Sequence, residues 1–218
     1  MSVYAFLSIP IGWLLGSIPS AYIIGRLLGK TDMRTEGDGR ISAAAIYRRA
    51  GRIQYALVLA MDIGKGVLSI FIANLLTNSL ILVLLAGFVT VVGHCWSVFL
   101  KFEGGLGATA ICGVLMGTVF WPLIIGLAVG AIVMLITRKS GFSSGITIVV
   151  ISTVLLIQYL VQSQSQAHPL DPVLIIYPIA LILIMGLKHL QVHGRDEPML
   201  EMSGGLDQSS SKGSLQGL

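Results

Sequence analysis

The sequence predicts an all-α protein with seven transmembrane helices, and three features of its 218 residues lead to this fold class. Hydrophobic residues make up 55% of the chain and charged residues only 11%, whereas a soluble domain carries about 25% charged residues. The mean hydropathy is +0.88. Long uncharged segments recur along the chain, and the basic residues lie in alternate loops between them. This composition excludes a soluble globule, a disordered chain and a nucleic-acid-binding arm, so we expect no nucleic-acid partner.

The sequence predicts seven apolar spans: three exceed the length of about 20 residues that a helix needs to cross a bilayer, and the other four have 13 to 17 residues. The first charged residue is Arg26, so the chain lacks the basic start of a cleaved signal peptide. We therefore expect the first apolar segment to remain as a span. The expected spans cover residues 3–24, 53–76, 80–100, 108–120, 122–137, 145–161 and 172–187.

The uncharged run 108–137 is long for one helix, and Trp121-Pro122 lies near its middle. Proline donates no backbone N–H and disfavours helix at the residue before it. We expect two spans here, although hydropathy alone also allows one kinked and tilted helix. The basic residues favour two spans, because a single helix would place the basic loops on both faces of the membrane.

The basic residues also indicate the orientation of the spans. Seven of the 14 lie within residues 26–52, and six more lie in alternate loops or in the C-terminal tail. By the positive-inside rule these segments are cytoplasmic, which places the N-terminus outside and the C-terminus in the cytoplasm. We expect a membrane domain over residues 1–200 and a disordered cytoplasmic tail over residues 201–218, since the tail is rich in Ser, Gly and Gln.

The loop between the first two spans combines arginines with two closely spaced glycines. Gly37 and Gly39 allow positive φ and a close approach of the backbone, as an anion-binding loop requires. Arg34, Arg40 and Arg48 carry guanidinium groups, which bind phosphate oxygens in pairs. The loop is therefore a candidate anion site, although a solvated basic loop with turn glycines has the same composition.

Two further loops on the same face place hydrogen-bond donors at the start of a helix. Gly104, Gly105 and Gly107 precede one helix, and backbone N–H groups at a helix N-terminus bind anions. A tight interhelical turn explains the same glycines. Ser143 and Ser144 lie at the start of another helix, where serine also serves as an N-cap. Because all three loops lie on one face, an acyl chain could enter from the lipid while its anionic head is held at the surface.

Several titratable residues lie within or beside the spans. Asp62 and Lys65 are three residues apart on one helical face. We interpret them as a structural ion pair, because isolated charges are costly in hydrocarbon. We interpret His94 as a helix-packing residue, whereas His189, beside Lys188 at the end of the last span, is better placed for chemistry. The four histidines and two cysteines show no metal-ligand spacing, so we expect no metal.

Six sets of motif residues resemble those of a known family of membrane enzymes. They are Gly16-Ser17-Ile18-Pro19; Asp32-x-Arg34-x-x-Gly37-x-Gly39; Asp62-x-x-Lys65-Gly66; Gly93-His94-Cys95-Trp96-Ser97 with Phe102-x-Gly104-Gly105-x-Gly107; Ser140-Gly141-Phe142-Ser143-Ser144; and Leu187-Lys188-His189. This pattern resembles the bacterial PlsY-type acyltransferases, which move an acyl group from acyl phosphate to glycerol 3-phosphate. The resemblance covers residues 10–195. It implies seven helices in the bacterial inner membrane, with the motifs on the cytoplasmic face.

The chain departs from the family pattern at several motif positions. In the first motif, Asp38 replaces a serine and Arg40 replaces an asparagine. Glu103 and Leu106 stand where the second motif has lysines, and Val192 stands where the last motif has an asparagine. The positions expected to bind phosphate have therefore lost two cations and gained two acids.

The resemblance implies a multi-pass membrane acyltransferase that forms lysophosphatidic acid in phospholipid synthesis, without a cofactor. Its partners would be acyl phosphate, glycerol 3-phosphate and membrane lipid. On this basis we expect His189 and Ser143 to be catalytic. The expected substrate-binding residues are Arg34, Gly37, Gly39, Arg40, Arg48, Gly104, Gly105, Gly107, Ser144 and Lys188.

Two alternatives remain open from the residues alone. One is a divergent paralogue with another acceptor or acyl donor, because Asp38 and Glu103 repel a dianionic acceptor. The other is a catalytically inactive membrane protein that binds a lipid or a protein partner.

Overall fold

The computed structural model describes residues 3–27, 51–138, 140–164 and 170–193. Within these ranges the regular structure is helical throughout. The tail expected over residues 201–218 falls outside them. So does the first expected anion loop, with Arg34, Gly37, Gly39, Arg40 and Arg48.

Eight α-helices make up the described part of the chain, and the first two together form one span. Short 3-10 turns precede the first helix, at Val3–Leu7, and follow the fourth, at Val98–Leu100. The helices are α1 (Ser8–Ser17), α2 (Ser20–Leu27), α3 (Arg52–Leu76), α4 (Leu80–Cys95), α5 (Ala108–Thr118), α6 (Phe120–Thr137), α7 (Ser140–Gln164) and α8 (Val173–His193).

Six of the described segments are long and apolar enough to cross a membrane, and the segment Val3–Leu27 is one of them. Helix α5 is a shorter apolar helix of 11 residues. The seven apolar helices expected from the sequence are therefore confirmed in the described part of the chain. Many large apolar side chains are exposed on the outside of the bundle, as a lipid-facing surface requires; examples are Leu75, Ile81, Trp121, Leu135 and Leu183.

The run 108–137 forms two helices, as expected, but the break lies at Val119 instead of Trp121. Val119 has φ −138° and ψ 62°, which ends α5 and begins α6. Pro122 lies in the first turn of α6, where a missing N–H removes no intrahelical hydrogen bond. Pro122 therefore lies at the beginning of α6, and the break between α5 and α6 lies three residues earlier, at Val119.

Pro19 breaks the first span into α1 and α2. The residue before a proline is pushed out of the α region, and Ile18 accordingly has ψ 118°. This break leaves backbone carbonyls near the junction without helical partners. Lys65 Nζ donates to the Ile18 carbonyl at 3.1 Å, and Ser97 Oγ donates to the Ser17 carbonyl at 2.5 Å.

Helices α1, α3, α4 and α5 pack closely through small residues. Helix α1 packs along α4 and α3, and α3 packs along α5. A Cβ at Gly66 would lie 2.7 Å from the Val114 nitrogen, and one at Gly113 would lie 2.2 Å from the Ile63 carbonyl oxygen. Small residues allow this approach between membrane helices. Thr90 Oγ1 also donates to the Gly12 carbonyl of α1 at 3.0 Å.

Helices α6, α7 and α8 complete the bundle. Helix α6 packs on α7, where Gly126 faces Ile151 and Gly130 faces Thr147. Helix α8 packs on α7 and α4, and Tyr177 Oη donates to the Leu84 carbonyl at 2.9 Å. This arrangement brings the end of α4 and the loop after it against the junction of α1 and α2.

Candidate active-site cavity

A cavity of about 490 Å³ lies where α1, α3, α4 and α5 meet. Its walls come from the junction of α1 and α2, from α3, from the end of α4 and from the loop that leads into α5. We call it the polar cavity, because charged and hydroxyl side chains line it. Its polar side chains are Ser17, Ser20, Tyr55, Asp62, Lys65, His94, Ser97 and Thr109.

Asp62 connects three helices at the centre of the polar cavity. Lys65 Nζ lies 2.9 Å from Asp62 Oδ1, and Thr109 Oγ1 donates to Asp62 Oδ2 at 3.0 Å. His94 Nδ1 lies 3.6 Å from Asp62 Oδ1. The ion pair expected from the sequence is therefore confirmed. The ion pair lines the polar cavity, and its two charges neutralise each other. His94, which we interpreted as a packing residue, lines the same cavity.

Lys65 is the only lysine or arginine among the described residues that line the polar cavity. Its side chain is 6% exposed, and its ammonium group contacts both the Asp62 carboxylate and the Ile18 carbonyl. Since Asp62 balances the charge of Lys65, this pair alone provides little net positive potential. A bound anion would also depend on hydroxyl and backbone N–H donors.

Ser17 supplies one such hydroxyl. Its side chain is fully buried, it lines the polar cavity, and its Oγ has no hydrogen-bond partner in the described part of the protein. Leaving a buried hydroxyl unsatisfied costs about 1–3 kcal/mol. A ligand that hydrogen-bonds to Ser17 would recover that free energy.

The glycine-rich loop before α5 forms one wall of the polar cavity. Gly104, Gly105 and Gly107 all line it, and the Gly105 N–H donates to the His94 carbonyl at 3.2 Å. A Cβ at Gly104 would lie 2.2 Å from that same carbonyl oxygen, so the loop packs directly on the end of α4. Gly107 has φ +96°, a conformation that favours glycine.

The N-terminus of α5 also faces the polar cavity, through Ala108 and Thr109. The first hydrogen bond of this helix runs from the Ile111 N–H to the Gly107 carbonyl, at 2.9 Å. The N–H groups before Ile111 have no carbonyl partner within the helix, and the helix dipole favours negative charge at this end. This geometry suits the anion-binding role that we expect for the loop 104–107.

The two lysine positions of the second motif differ in their surroundings. Leu106 lines the polar cavity and is 41% exposed, whereas Glu103 is exposed and lies outside the cavity wall. A cation at position 106 would therefore act on the cavity more directly than one at position 103.

The four other expected site residues that the structure describes lie outside the cavity wall. Ser143 is buried and donates to the Gly130 carbonyl of α6 at 2.5 Å, and Ser144 is half-buried on the same helix. Lys188 is buried with its Nζ 5.2 Å from the centre of the Trp96 ring, and His189 is exposed. The catalytic and binding roles expected for these four residues stay predictions.

Eight polar residues of the cavity wall were not among the expected site residues: Ser17, Ser20, Tyr55, Asp62, Lys65, His94, Ser97 and Thr109. A signal for two of them was present, because an aspartate and a lysine within a span indicate a functional site by default. Because a spacing of three residues also suits a structural ion pair, we interpreted Asp62 and Lys65 as structural and did not include them among the expected site residues.

Known proteins resemble this chain in sequence and in fold. A family model described as glycerol-3-phosphate acyltransferase matches residues 6–195. The chain belongs to this family. Within the family, it is 39% identical over 127 residues to glycerol-3-phosphate acyltransferase 2 of Moorella thermoacetica, which covers 56% of this chain and 65% of that protein. It is 36% identical over 138 residues to the glycerol-3-phosphate acyltransferase of Endomicrobium trichonymphae, which covers 63% of this chain and 69% of that protein.

A solved structure of the glycerol-3-phosphate acyltransferase family shares the fold. It is the crystal structure of PlsY, described as an integral membrane glycerol 3-phosphate acyltransferase, in its glycerol 3-phosphate form. The TM-score is 0.70 at 24% identity, over 88% of this chain and 90% of that one. The lysophosphatidic acid form gives a TM-score of 0.67. Together with the apolar helices, this likeness identifies the chain as a multi-pass membrane protein.

Proposed function

We propose that the chain is a membrane acyltransferase that transfers an acyl group from acyl phosphate to glycerol 3-phosphate, forming lysophosphatidic acid. The match of the family model over residues 6–195 carries this proposal. The polar cavity supports it, because one lysine, several buried serine hydroxyl groups and the N-terminus of α5 surround a space that suits a phosphate ester.

The proposed reaction forms one bond and breaks one. The 1-hydroxyl oxygen of glycerol 3-phosphate bonds to the acyl carbonyl carbon, and the bond from that carbon to the phosphate oxygen breaks. The hydroxyl proton leaves with the phosphate, so the products are lysophosphatidic acid and inorganic phosphate. Because phosphate is a good leaving group, the protein needs no covalent nucleophile. Its contribution is positioning and stabilisation of charge.

We assign the donors of the polar cavity to a phosphate group. Lys65 would supply the positive charge, while Ser17 and the first N–H groups of α5 would supply hydrogen bonds. Arg34 and Arg48, with Arg40, remain proposed anion-binding residues from the sequence. Ser143 or Ser144 would orient the substrate, and His189 would polarise it.

We also propose that the polar cavity lies on the cytoplasmic side of the bacterial inner membrane. The loop 97–107 carries Lys101, and α3 first reaches the cavity at Tyr55, three residues after Arg52 at its basic end. The positive-inside rule places such segments in the cytoplasm. An acyl phosphate made in the cytoplasm would then reach the cavity without crossing the bilayer.

The decisive experiment uses the purified full chain in lipid nanodiscs with palmitoyl phosphate and radiolabelled glycerol 3-phosphate. We expect labelled lysophosphatidic acid and an equal amount of inorganic phosphate. A folded protein that forms no product above the empty-nanodisc background contradicts the proposal. Growth of an acyltransferase-deficient bacterial strain that carries the gene is the matching test in cells.

A second candidate is the same transfer to a less anionic acceptor. The observation that favours it is Leu106, which lines the polar cavity where the family pattern has a lysine. Glycerol and ethanolamine are suitable test acceptors in the same assay, since neither carries a phosphate. Faster turnover with either of them than with glycerol 3-phosphate would establish this alternative.

A further inference from the structure

The hydroxyl group of Thr109 has a fixed hydrogen-bonding direction in the polar cavity. Thr109 is the second residue of α5, and its Oγ1 donates to Asp62 Oδ2 at 3.0 Å. The Asp62 carboxylate is ion-paired with Lys65, so it carries no proton and only accepts hydrogen bonds. The single proton of the Thr109 hydroxyl is therefore committed to Asp62, and the lone pairs of Oγ1 remain to accept a hydrogen bond from a ligand.

Other acceptors at the cavity wall are already engaged by the protein. Three backbone carbonyls there accept a hydrogen bond: those of Ser17, Ile18 and His94, which bind Ser97 Oγ, Lys65 Nζ and the Gly105 N–H. Asp62 is only 3% exposed, whereas Thr109 is half-buried and lines the cavity. Thr109 therefore presents an acceptor that a ligand in the cavity can reach.

Donors for an anion lie beside this acceptor. The Ala108 and Thr109 N–H groups come before the first hydrogen bond of α5, which begins at Ile111, so they have no carbonyl partner within the helix. Lys65 Nζ lies 2.9 Å from the other oxygen of the Asp62 carboxylate. A ligand with acceptors alone, such as an alkyl phosphate dianion, satisfies these donors but offers no proton to Thr109 Oγ1. A phosphate ester that also carries a hydroxyl group satisfies both.

We infer that Thr109 accepts a hydrogen bond from a hydroxyl group of the acyl acceptor, and that it thereby selects a hydroxyl-bearing phosphate ester over a plain alkyl phosphate. This inference rests on the proposed function, because it names the residue that recognises the alcohol end of the acceptor in that reaction. Asp62 acts through Thr109 as a positioning residue, since it fixes the direction of the Thr109 proton. It also makes Oγ1 a better acceptor, because hydrogen bonds in a chain polarise one another.

The experiment measures binding of four phosphate esters to the full chain in nanodiscs by titration calorimetry. They are glycerol 3-phosphate, 3-hydroxypropyl phosphate, 2-hydroxypropyl phosphate and propyl phosphate. At pH 8 all four are dianions, since their second pKa is roughly 6. We expect the wild type to bind glycerol 3-phosphate at least about fivefold more tightly than propyl phosphate, which corresponds to one hydrogen bond. The hydroxypropyl phosphate that keeps this preference identifies the hydroxyl group that Thr109 binds.

Variants at Thr109 separate recognition of the ligand from packing of α5. Thr109→Val should weaken glycerol 3-phosphate about fivefold and leave propyl phosphate at the wild-type affinity. Thr109→Ser keeps the hydroxyl and should keep the preference. Thr118→Val is the matched control, because Thr118 lies on the same helix and outside the cavity wall, and its Oγ1 donates to the Val114 carbonyl at 3.0 Å. It should change neither ligand.

Two results overturn the inference. One is a folded Thr109→Val variant that keeps the wild-type preference for glycerol 3-phosphate over propyl phosphate, whether both affinities fall equally or neither changes. Thr109→Ala carries the same expectation if the valine variant does not fold. The other result needs no variant: a wild type that shows no preference among the four esters.

The binding test does not depend on turnover. A wild type whose preference depends on Thr109 but which forms no lysophosphatidic acid contradicts the proposed function and supports the role of Thr109. Wild-type turnover, together with an unchanged preference in Thr109→Val, contradicts the role of Thr109 alone.

Discussion

The two halves of the bundle use their polar residues in different ways. In the half formed by α1 to α5, side chains from α3, α4 and α5 meet around Asp62 and line a cavity. In α6 to α8, the hydroxyl groups with described bonds donate to backbone carbonyls of their own or a neighbouring helix, as Ser143 does to Gly130 and Tyr177 does to Leu84. Polar residues of the first half therefore face a shared space, whereas those of the second half connect helices.

The difference follows from breaks in the helices. The break at Pro19 and the glycine-rich loop before α5 leave carbonyls and N–H groups without helical partners at one place. Described breaks in α6 to α8 are confined to helix ends, so their hydroxyl groups find carbonyls along continuous helices. The break at Pro19 lies within the first span, where irregular backbone is tolerated because it is buried in protein and lines a cavity.

The largest effect is expected from Asp62→Ala, which tests whether the first half depends on its central carboxylate. The change leaves the buried Lys65 ammonium without its counter-ion, and we expect a loss of stability of about 3–5 kcal/mol. Thermal unfolding in detergent measures it. The double variant Asp62→Ala/Lys65→Met should recover most of the stability, because it removes both charges, but should remain inactive. An active double variant would mean that the pair is structural alone.

The next effect concerns the two positions where the family pattern has lysines. Replacing Glu103 and Leu106 by lysine should strengthen glycerol 3-phosphate binding by about 1.5–3 kcal/mol, which is roughly 10- to 150-fold. Because Leu106 lines the cavity and Glu103 does not, Leu106→Lys alone should account for most of the gain. Titration calorimetry on the single and double variants measures it. Unchanged affinity in a folded double variant would show that the loop 102–107 is not a phosphate site.

If the less anionic acceptor is the native one, the same two lysines should lower turnover on that acceptor. Glu103→Gln serves as the control for net charge, since it raises the charge by one unit, as Leu106→Lys does, but away from the cavity wall.

A smaller effect is expected from Thr109→Val, which removes the hydrogen bond from α5 to Asp62. The loss of about 1 kcal/mol should raise KM for glycerol 3-phosphate roughly fivefold. KM for the acyl donor should change little, since Thr109 lies outside the apolar groove that Leu15, Met61, Leu68 and Phe71 form between the first span and α3. Thr109→Ser keeps the hydroxyl and should restore the wild-type KM. Equal changes in both KM values would indicate a general disturbance of packing.

The smallest effect is expected from removing residues 205–218. A chain that ends at Gly204 should match the intact protein in unfolding temperature and in activity, because the deleted segment is rich in Ser, Gly and Gln. A lower unfolding temperature of the shortened chain would contradict the expected disordered tail.

Hydropathy and charge were sufficient to predict the helices. Each apolar segment is a local property of the chain, and the described helices follow the expected spans to within a few residues at most ends. Helix α7 begins five residues earlier than expected and α8 ends six residues later, because helical hydrogen bonding continues into the partly polar residues that flank each apolar segment. The ion pair of Asp62 and Lys65 was predictable for the same reason, since residues three apart share a helix face.

The composition of the cavity was not predictable in this way. Ser17, Asp62, His94 and Thr109 are far apart in the chain, and only the packing of α1, α3, α4 and α5 brings them together. Likewise, Ser143 appears as a free hydroxyl at a helix start in the sequence, but the approach of α6 provides the Gly130 carbonyl as its acceptor.

The sequence by itself thus determined the class of protein, the number of apolar helices and the charged pair of Asp62 and Lys65. These are local properties, because the free energy of transferring a segment to lipid and the spacing of side chains along a helix depend only on nearby residues. The tertiary structure decided which of those residues share a site. It did so through the proline break in the first span and the close glycine contacts between helices, which leave backbone donors and acceptors unpaired at one place and enclose them there.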